Sequence, residues 1–176
     1  MRSMVEHIHQ QILNKRVGTA IDFTMGNGHD TLVLSKIADI VYSFDIQELA
    51  LQETRKRLSD VSHVKLIQDN HLYFDNYVQA FDLGIFNLGY LPNGNHEITT
   101  IAGTTFETIK KAIQLLNMEG FLYIVVYIGH KEGQKESEII QSYVKQLHHK
   151  DYNIAMFTML NKSYAPYVIE IEKRKI

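Results

Sequence analysis

The chain contains no cysteine. Disulfides, thiolate metal sites and cysteine nucleophiles are therefore excluded, and the composition is compatible with a reducing compartment. Proline is scarce, with two residues, and glycine is limited to ten, which leaves little room for linkers. Internal repeats and low-complexity stretches are absent. A strong excess of one charge is missing too. The formal net charge of −2 gives no support to non-specific nucleic-acid binding by the molecule as a whole, while a small basic patch on one face stays open. No apolar run reaches the ~20 residues of a membrane span; Phe121 to Ile128 falls far short. Met1 to Gln10 carries Glu6, His7 and His9 inside its apolar pattern and does not read as a signal peptide. The expectation is a cytoplasmic protein with no membrane partner. A chain of 176 residues with 45% hydrophobic content suits one domain over residues 1–176.

Short β-branched runs alternate with helical segments, the signature of βαβ units and a mostly parallel sheet. Val5, Ile8, Ile12 and Leu13 have helical spacing and predict an N-terminal helix. Strands are expected at Ala20 to Phe23, Ile40 to Phe44, Val64 to Ile67, Phe81 to Phe86 and Phe121 to Tyr127. The last of these is the most apolar and should be central. Helices are expected at Asp30 to Ile37, at Gln47 to Leu58 with Ala50, Leu51, Thr54 and Leu58 on one face, at Leu72 to Ala80, at Thr100 to Leu116 and at Ser137 to His149. Ile154 to Leu160 and Tyr167 to Glu172 have no helix between them and should pair antiparallel at one edge. The fold class is thus α/β, a Rossmann-like seven-stranded, mostly parallel sheet with helices on both faces.

The segment Asp22-Phe23-Thr24-Met25-Gly26-Asn27-Gly28-His29-Asp30-Thr31 follows a strand and opens a helix. Gly26 and Gly28 let backbone approach a ligand closely, and N–H groups at a helix start favour an anionic or polar group. The third glycine of the dinucleotide fingerprint is absent, which weakens a pyrophosphate reading. A tight turn with Asp30 or Thr31 as a helix cap accounts for the same residues. Asp45 ends the second strand, where an acid can accept hydrogen bonds from both ribose hydroxyls of a nucleoside cofactor; Gln47 can join it, and Asp45 can equally cap the following helix. Asp69 and Asn70 end the third strand and suit the polar edge of an adenine ring, or form a plain Asx turn. Three such sites at successive strand ends point to a ligand, because ligands of open α/β sheets bind outside those ends. Asn87-Leu88-Gly89-Tyr90-Leu91-Pro92 closes the fourth strand. There the Asn87 oxygen can accept from a substrate amine, and Tyr90 can stack on a base or fill core. Tyr127-Ile128-Gly129-His130 closes the fifth. His130 is a general-base or phosphate-contact candidate, or a plain surface histidine. Asn161, Lys162 and Tyr164 join the last two strands near the same rim.

Together, Asp22 to Thr31, Phe44-Asp45-Ile46-Gln47, Asn87 to Pro92 and Tyr127 to His130 resemble a bacterial family of class I methyltransferases formerly labelled rRNA methylases. The resemblance runs over nearly the whole chain. It implies methyl transfer from S-adenosyl-L-methionine to the amine of 5-aminomethyl-2-thiouridine at the tRNA wobble position, with the anticodon stem-loop as partner and a monomer or homodimer as the working unit. It also implies roles. Asp22, Gly26, Asn27, Gly28 and Asp30 would line the methionine side of the cofactor, Asp45 and Gln47 the ribose, and Asp69, Asn70 and His71 the adenine. Asn87, Tyr90 and His130 are the catalytic candidates, and Tyr127, Lys131, Asn161, Lys162 and Tyr164 the substrate contacts. The family usually has Ala where this chain has Phe23, a difference that touches packing only.

The implied reaction is an in-line displacement at a sulfonium methyl carbon by a deprotonated amine. His130, Tyr127 or water can take the proton. Alternatives are methylation of rRNA or of a small amine, a non-catalytic adenosylmethionine-binding module, and a nucleotide-binding dehydrogenase, which the incomplete glycine fingerprint disfavours.

Overall fold

The computed structural model describes residues 3–59, 61–89, 102–129 and 131–175. Helix α1 (Met4–Ile12) starts at Ser3, whose hydroxyl accepts from Glu6 N at 3.1 Å while the Glu6 carboxylate accepts from Ser3 N at 2.8 Å, a reciprocal capping box. Then follow β1 (Val17–Asp22), α2 (His29–Leu34), β2 (Ala38–Asp45), α3 (Glu48–Leu58) and β3 (Val64–Gln68). A short 3-10 helix (His71–Asn76) leads to β4 (Phe81–Asn87), α4 (Ala102–Leu115), β5 (Leu116–Val126), α5 (Lys131–Val144), β6 (Tyr152–Phe157) and β7 (Tyr167–Lys173).

The seven strands form one sheet in the order β3-β2-β1-β4-β5-β7-β6. The first five are parallel, and β7 runs antiparallel to both β5 and β6. This is the class I methyltransferase arrangement, with the antiparallel last pair at one edge. The strand order reverses between β1 and β4, and the crevice outside such a reversal is where open α/β sheets bind ligands.

The core lies on both faces of the sheet. On one face Phe23, Phe44, Phe74, Phe81 and Phe86 pack with Ile109 and Ile113 of α4 and Ile140 of α5. On the other, Ile8 and Ile12 of α1 and Leu34 of α2 cover Val41, Leu83, Ile85 and Tyr123. Each fully buried side chain of this size contributes roughly 1.5–3 kcal/mol. Phe23 stacks on Phe86 with centroids 4.1 Å apart and meets Phe74 edge-on at 5.0 Å. Gly84 makes room for it: a Cβ there would lie 2.9 Å from Phe23 Cε2 and 2.8 Å from Leu122 Cδ1.

Several elements differ from the sequence expectation: β6 ends at Phe157 and not at Leu160, and α2 ends at Leu34 and not at Ile37. The helix expected over Leu72 to Ala80 is instead the short 3-10 helix, capped by Asn70. The last helix begins at Lys131 and ends at Val144 rather than spanning Ser137 to His149, because its polar first turns carry no apolar period. Strand β5 starts at Leu116, before an irregular stretch in which Glu119 is left-handed at φ 63°. No helix among the described residues is long and apolar enough to cross a membrane.

Candidate active site

The loop between β1 and α2 turns sharply through Gly26 (φ 52°) and Gly28 (φ 75°), conformations that glycine adopts without the Cβ penalty. Gly28 faces a second constraint, since an added Cβ would sit 2.6 Å from Thr54 Oγ1. Helix α3 grips the loop by its carbonyls: Thr54 Oγ1 donates to Gly26 O at 3.3 Å and Arg57 Nε to Asn27 O at 2.6 Å.

Asp45, at the end of β2, grips the same loop by an N–H. Its Oδ2 accepts from Gly26 N and its Oδ1 from Gln47 N, both at 3.0 Å. Burial pushes its carboxyl up, against the three backbone N–H groups that favour the charged form. Beneath the loop, Asp22 has no exposed surface. It accepts from Thr24 N at 3.1 Å and from Thr31 Oγ1 at 2.6 Å, and Thr31 in turn meets Ser43 Oγ at 2.8 Å. Burial, and then the Asp30 charge, raise Asp22 to about 7. Asp22 therefore organises the loop from below and does not reach its open face.

At the end of β3, Asn70 Oδ1 accepts from Leu72 N at 2.9 Å, and Asp69 accepts from Asn70 N at 2.7 Å and from Tyr77 Oη at 2.9 Å. His71 is buried behind the loop, its Nδ1 donating to Phe23 O at 3.1 Å. Burial lowers its pKa to about 4, so the ring is neutral, and its Nε2 is a buried acceptor with no hydrogen-bond partner among the described residues.

At the end of β4, the Asn87 backbone N–H donates to Thr24 Oγ1 at 2.7 Å, and Nδ2 donates to Asp30 Oδ2 at 3.1 Å. The amide is thereby oriented, and its Oδ1 is buried without a hydrogen-bond partner among the described residues. The other Asp30 oxygen, Oδ1, lies 2.5 Å from His9 Nε2. Tyr127, just past β5, packs against Gly89, where an added Cβ would lie 3.2 Å from its ring. Its hydroxyl is pushed up by burial and secondarily by the Asp30 charge. Asn87 and Asp30 are thus joined by a hydrogen bond, and Tyr127 is near enough for the Asp30 charge to act on its hydroxyl.

A cleft of about 530 Å³ opens beside Tyr127, between Met4 of α1 and the loop joining β6 to β7, which supplies Met159, Lys162, Tyr164 and Pro166. Asn161 is exposed on the same loop and Lys131 is exposed at the start of α5. Tyr90 and His130 lie outside the described residues. Of the residues that sequence reasoning passed over, Thr54 holds the glycine loop and His9 reaches Asp30. The only signal for His9 was a polar ring beside the apolar stripe of α1.

The model of the family described as "Putative rRNA methylase" matches residues 41–172. The chain belongs to this family. It is 33% identical, over 97% of its length and 69% of the relative's, to the Arabidopsis thaliana protein named tRNA (mnm(5)s(2)U34)-methyltransferase, chloroplastic. A Clostridium thermocellum protein with the same description as the family superposes with a TM-score of 0.91 at 32% identity, covering 98% of each chain. A Streptococcus mutans protein described as "a putative methyltransferase", solved in complex with SAH, superposes with a TM-score of 0.89 at 37% identity, covering 98% of this chain and 99% of that one.

Proposed function

We propose that this S-adenosylmethionine-dependent methyltransferase methylates the amine of 5-aminomethyl-2-thiouridine at the tRNA wobble position, giving the 5-methylaminomethyl form. The observation that carries the reading is the Asn87 side chain. A buried acceptor without a partner costs about 1–3 kcal/mol, and Asn87 Oδ1 has none among the described residues. A primary amine bonded to it through N–H would satisfy that oxygen and aim its lone pair across the strand ends.

The residues fit a nucleoside cofactor. Asp45 keeps acceptor lone pairs beyond its backbone N–H bonds and stands at the strand end where ribose hydroxyls would be held. Gly28 lets the loop seat against Thr54 of α3, and the loop backbone can line the methionine moiety together with Asn27. Asp69, Asn70 and His71, whose Nε2 has no partner among the described residues, would border the adenine side. Bound there, S-adenosylmethionine supplies an electrophilic methyl carbon for in-line displacement by the amine. The protein's contribution is alignment, worth roughly 7–11 kcal/mol at best.

The RNA reading rests on the cleft that Tyr127 lines. A splayed base can stack between aromatic rings, and Tyr127 and Tyr164 flank this cleft with Lys162 at its rim for phosphate. Tyr164 is held at φ 62° with 69% of its surface exposed. Strain of roughly 1–3 kcal/mol at a non-glycine residue is typical of functional loops. The name of the Arabidopsis relative supports the same substrate. Mass spectrometry of wobble nucleosides from a strain lacking the gene tests the proposal. Accumulation of the unmethylated aminomethyl nucleoside is expected, and an unchanged nucleoside profile would overturn it.

A further inference from the structure

Asp30 is 4% exposed and stands in the first turn of α2. Its two carboxylate oxygens have separate partners: Asn87 Nδ2 on Oδ2 at 3.1 Å and His9 Nε2 on Oδ1 at 2.5 Å. A carboxylate only accepts, so the nitrogens facing it are donors. That fixes the Asn87 amide with its NH₂ toward Asp30 and its oxygen on the opposite side of the amide. It also assigns the proton of the His9 ring to Nε2. The His9 side chain is itself only 16% exposed and comes from α1, twenty-one residues earlier in the chain. Helix α1 is anchored independently, through Ile8 at 2% and Ile12 at 0% exposure.

We infer that His9 is a positioning residue: through Asp30 it holds the Asn87 amide in the one orientation that can receive a substrate amine. Without His9, Asp30 Oδ1 is a buried carboxylate oxygen lacking its charge-assisted partner, a strongly unfavourable state. The carboxylate then turns toward water or toward other donors, and Asn87 Nδ2 loses its fixed acceptor. An amide free to flip also presents its NH₂ to the incoming amine, whose lone pair would then accept that N–H instead of facing the methyl carbon. His9 meets the site through Asp30, so the defect is expected in the transfer step and not in binding. The inference explains why an N-terminal helix outside the βαβ core lies against the site. It rests on the proposed amine substrate for its kinetic consequence but not for its structural one.

The test compares His9→Leu, which keeps bulk and removes the donor, with His9→Gln, whose Nε2 can stand where the histidine Nε2 stood. For tRNA carrying the unmethylated aminomethyl group, His9→Leu should lower kcat at least tenfold, about 1.4 kcal/mol in the barrier. KM for tRNA and Kd for S-adenosylmethionine should stay within about twofold, and His9→Gln should regain most of the loss. The structural arm needs no substrate: hydrogen exchange of the Asn87 side-chain NH₂, followed by NMR in the full-length protein, should be slow in wild type and at least about tenfold faster in His9→Leu. Unchanged Asn87 exchange overturns the inference whatever the substrate proves to be. So does an equal loss in kcat and cofactor affinity, or a His9→Gln variant with a native melting temperature and less than a tenth of wild-type kcat. Should wild type leave the tRNA unmethylated, the substrate reading fails, and the exchange measurement still decides the role of His9.

Discussion

Asp45 Oδ2 accepts the Gly26 N–H at 3.0 Å, tying the end of β2 to a glycine loop that begins one strand earlier. The same carboxylate that would hold a ribose therefore also holds the loop that would hold the methionine moiety. Asp45→Ala removes both functions at once. It should weaken S-adenosylmethionine by at least about tenfold, roughly 1.4 kcal/mol, measured calorimetrically on folded protein. Unchanged affinity would remove Asp45 from the site.

Gly28→Ala should fail for two separable reasons. The residue has φ 75° and its new Cβ would lie 2.6 Å from Thr54 Oγ1, 2.7 Å from Cγ2 and 2.9 Å from Cβ. Left-handed backbone alone costs roughly 1–2 kcal/mol. Adding Thr54→Ala relieves the contact with the removed Oγ1 and Cγ2 but neither the backbone strain nor the contact with Cβ. Thermal melts should accordingly show partial rescue in the double variant; complete rescue would mean that the conformation is not strained.

Asn87→Ala should reduce single-turnover methyl transfer far more than cofactor affinity, because the contact matters in the transition state. Asn87→Asp should not repair it. The substitution sets a carboxylate oxygen where Nδ2 now lies, 3.1 Å from Asp30 Oδ2, and two carboxylates so close cannot both ionise without cost. Near-normal rates in either variant would exclude Asn87 as the amine acceptor.

The pairing of elements with sequence patterns shows what was legible. Ala50, Leu51, Thr54 and Leu58 are all buried on α3 as their spacing implied, and β1, β2, β3 and β4 fall within a few residues of their expected places, because burial against a sheet writes its period into the chain. Helix α5 was placed late because Lys131 to Glu136 is polar and interrupted by Gly133, so no apolar period marks its start. Of the site, the strand-end residues Asp45 and Asn87 were legible, because strand termini and glycines punctuate the sequence. The links His9 to Asp30 and Thr54 to Gly28 were not. They join residues 21 and 26 positions apart across the folded surface, and nothing local records such a contact.

Asp22 gives a pH signature. Its folded value, about 7, is raised above the ordinary 3.8, so the native state holds a proton that the unfolded chain has lost between about pH 4 and 7. The stability contributed by Asp22 is therefore full at low pH and is lost as pH rises through that window. His71, lowered from 6.5 to about 4, acts in the opposite sense, its contribution growing as pH rises from 4 to 6.5. The melting temperature of wild type minus that of Asp22→Asn should thus decline from pH 4 to 7. Parallel curves would contradict a protonated buried carboxyl.

The most direct measurement is transfer of isotopically labelled methyl from S-adenosylmethionine by the purified full-length protein, with nucleosides resolved by mass spectrometry. Substrates are tRNA carrying 5-aminomethyl-2-thiouridine, unmodified ribosomal RNA and the free aminomethyl nucleoside. Label in the tRNA-derived 5-methylaminomethyl-2-thiouridine, with far slower transfer to the free nucleoside and none to ribosomal RNA, is the expected result. Label in ribosomal RNA instead, or a free nucleoside methylated as fast as tRNA, would contradict it.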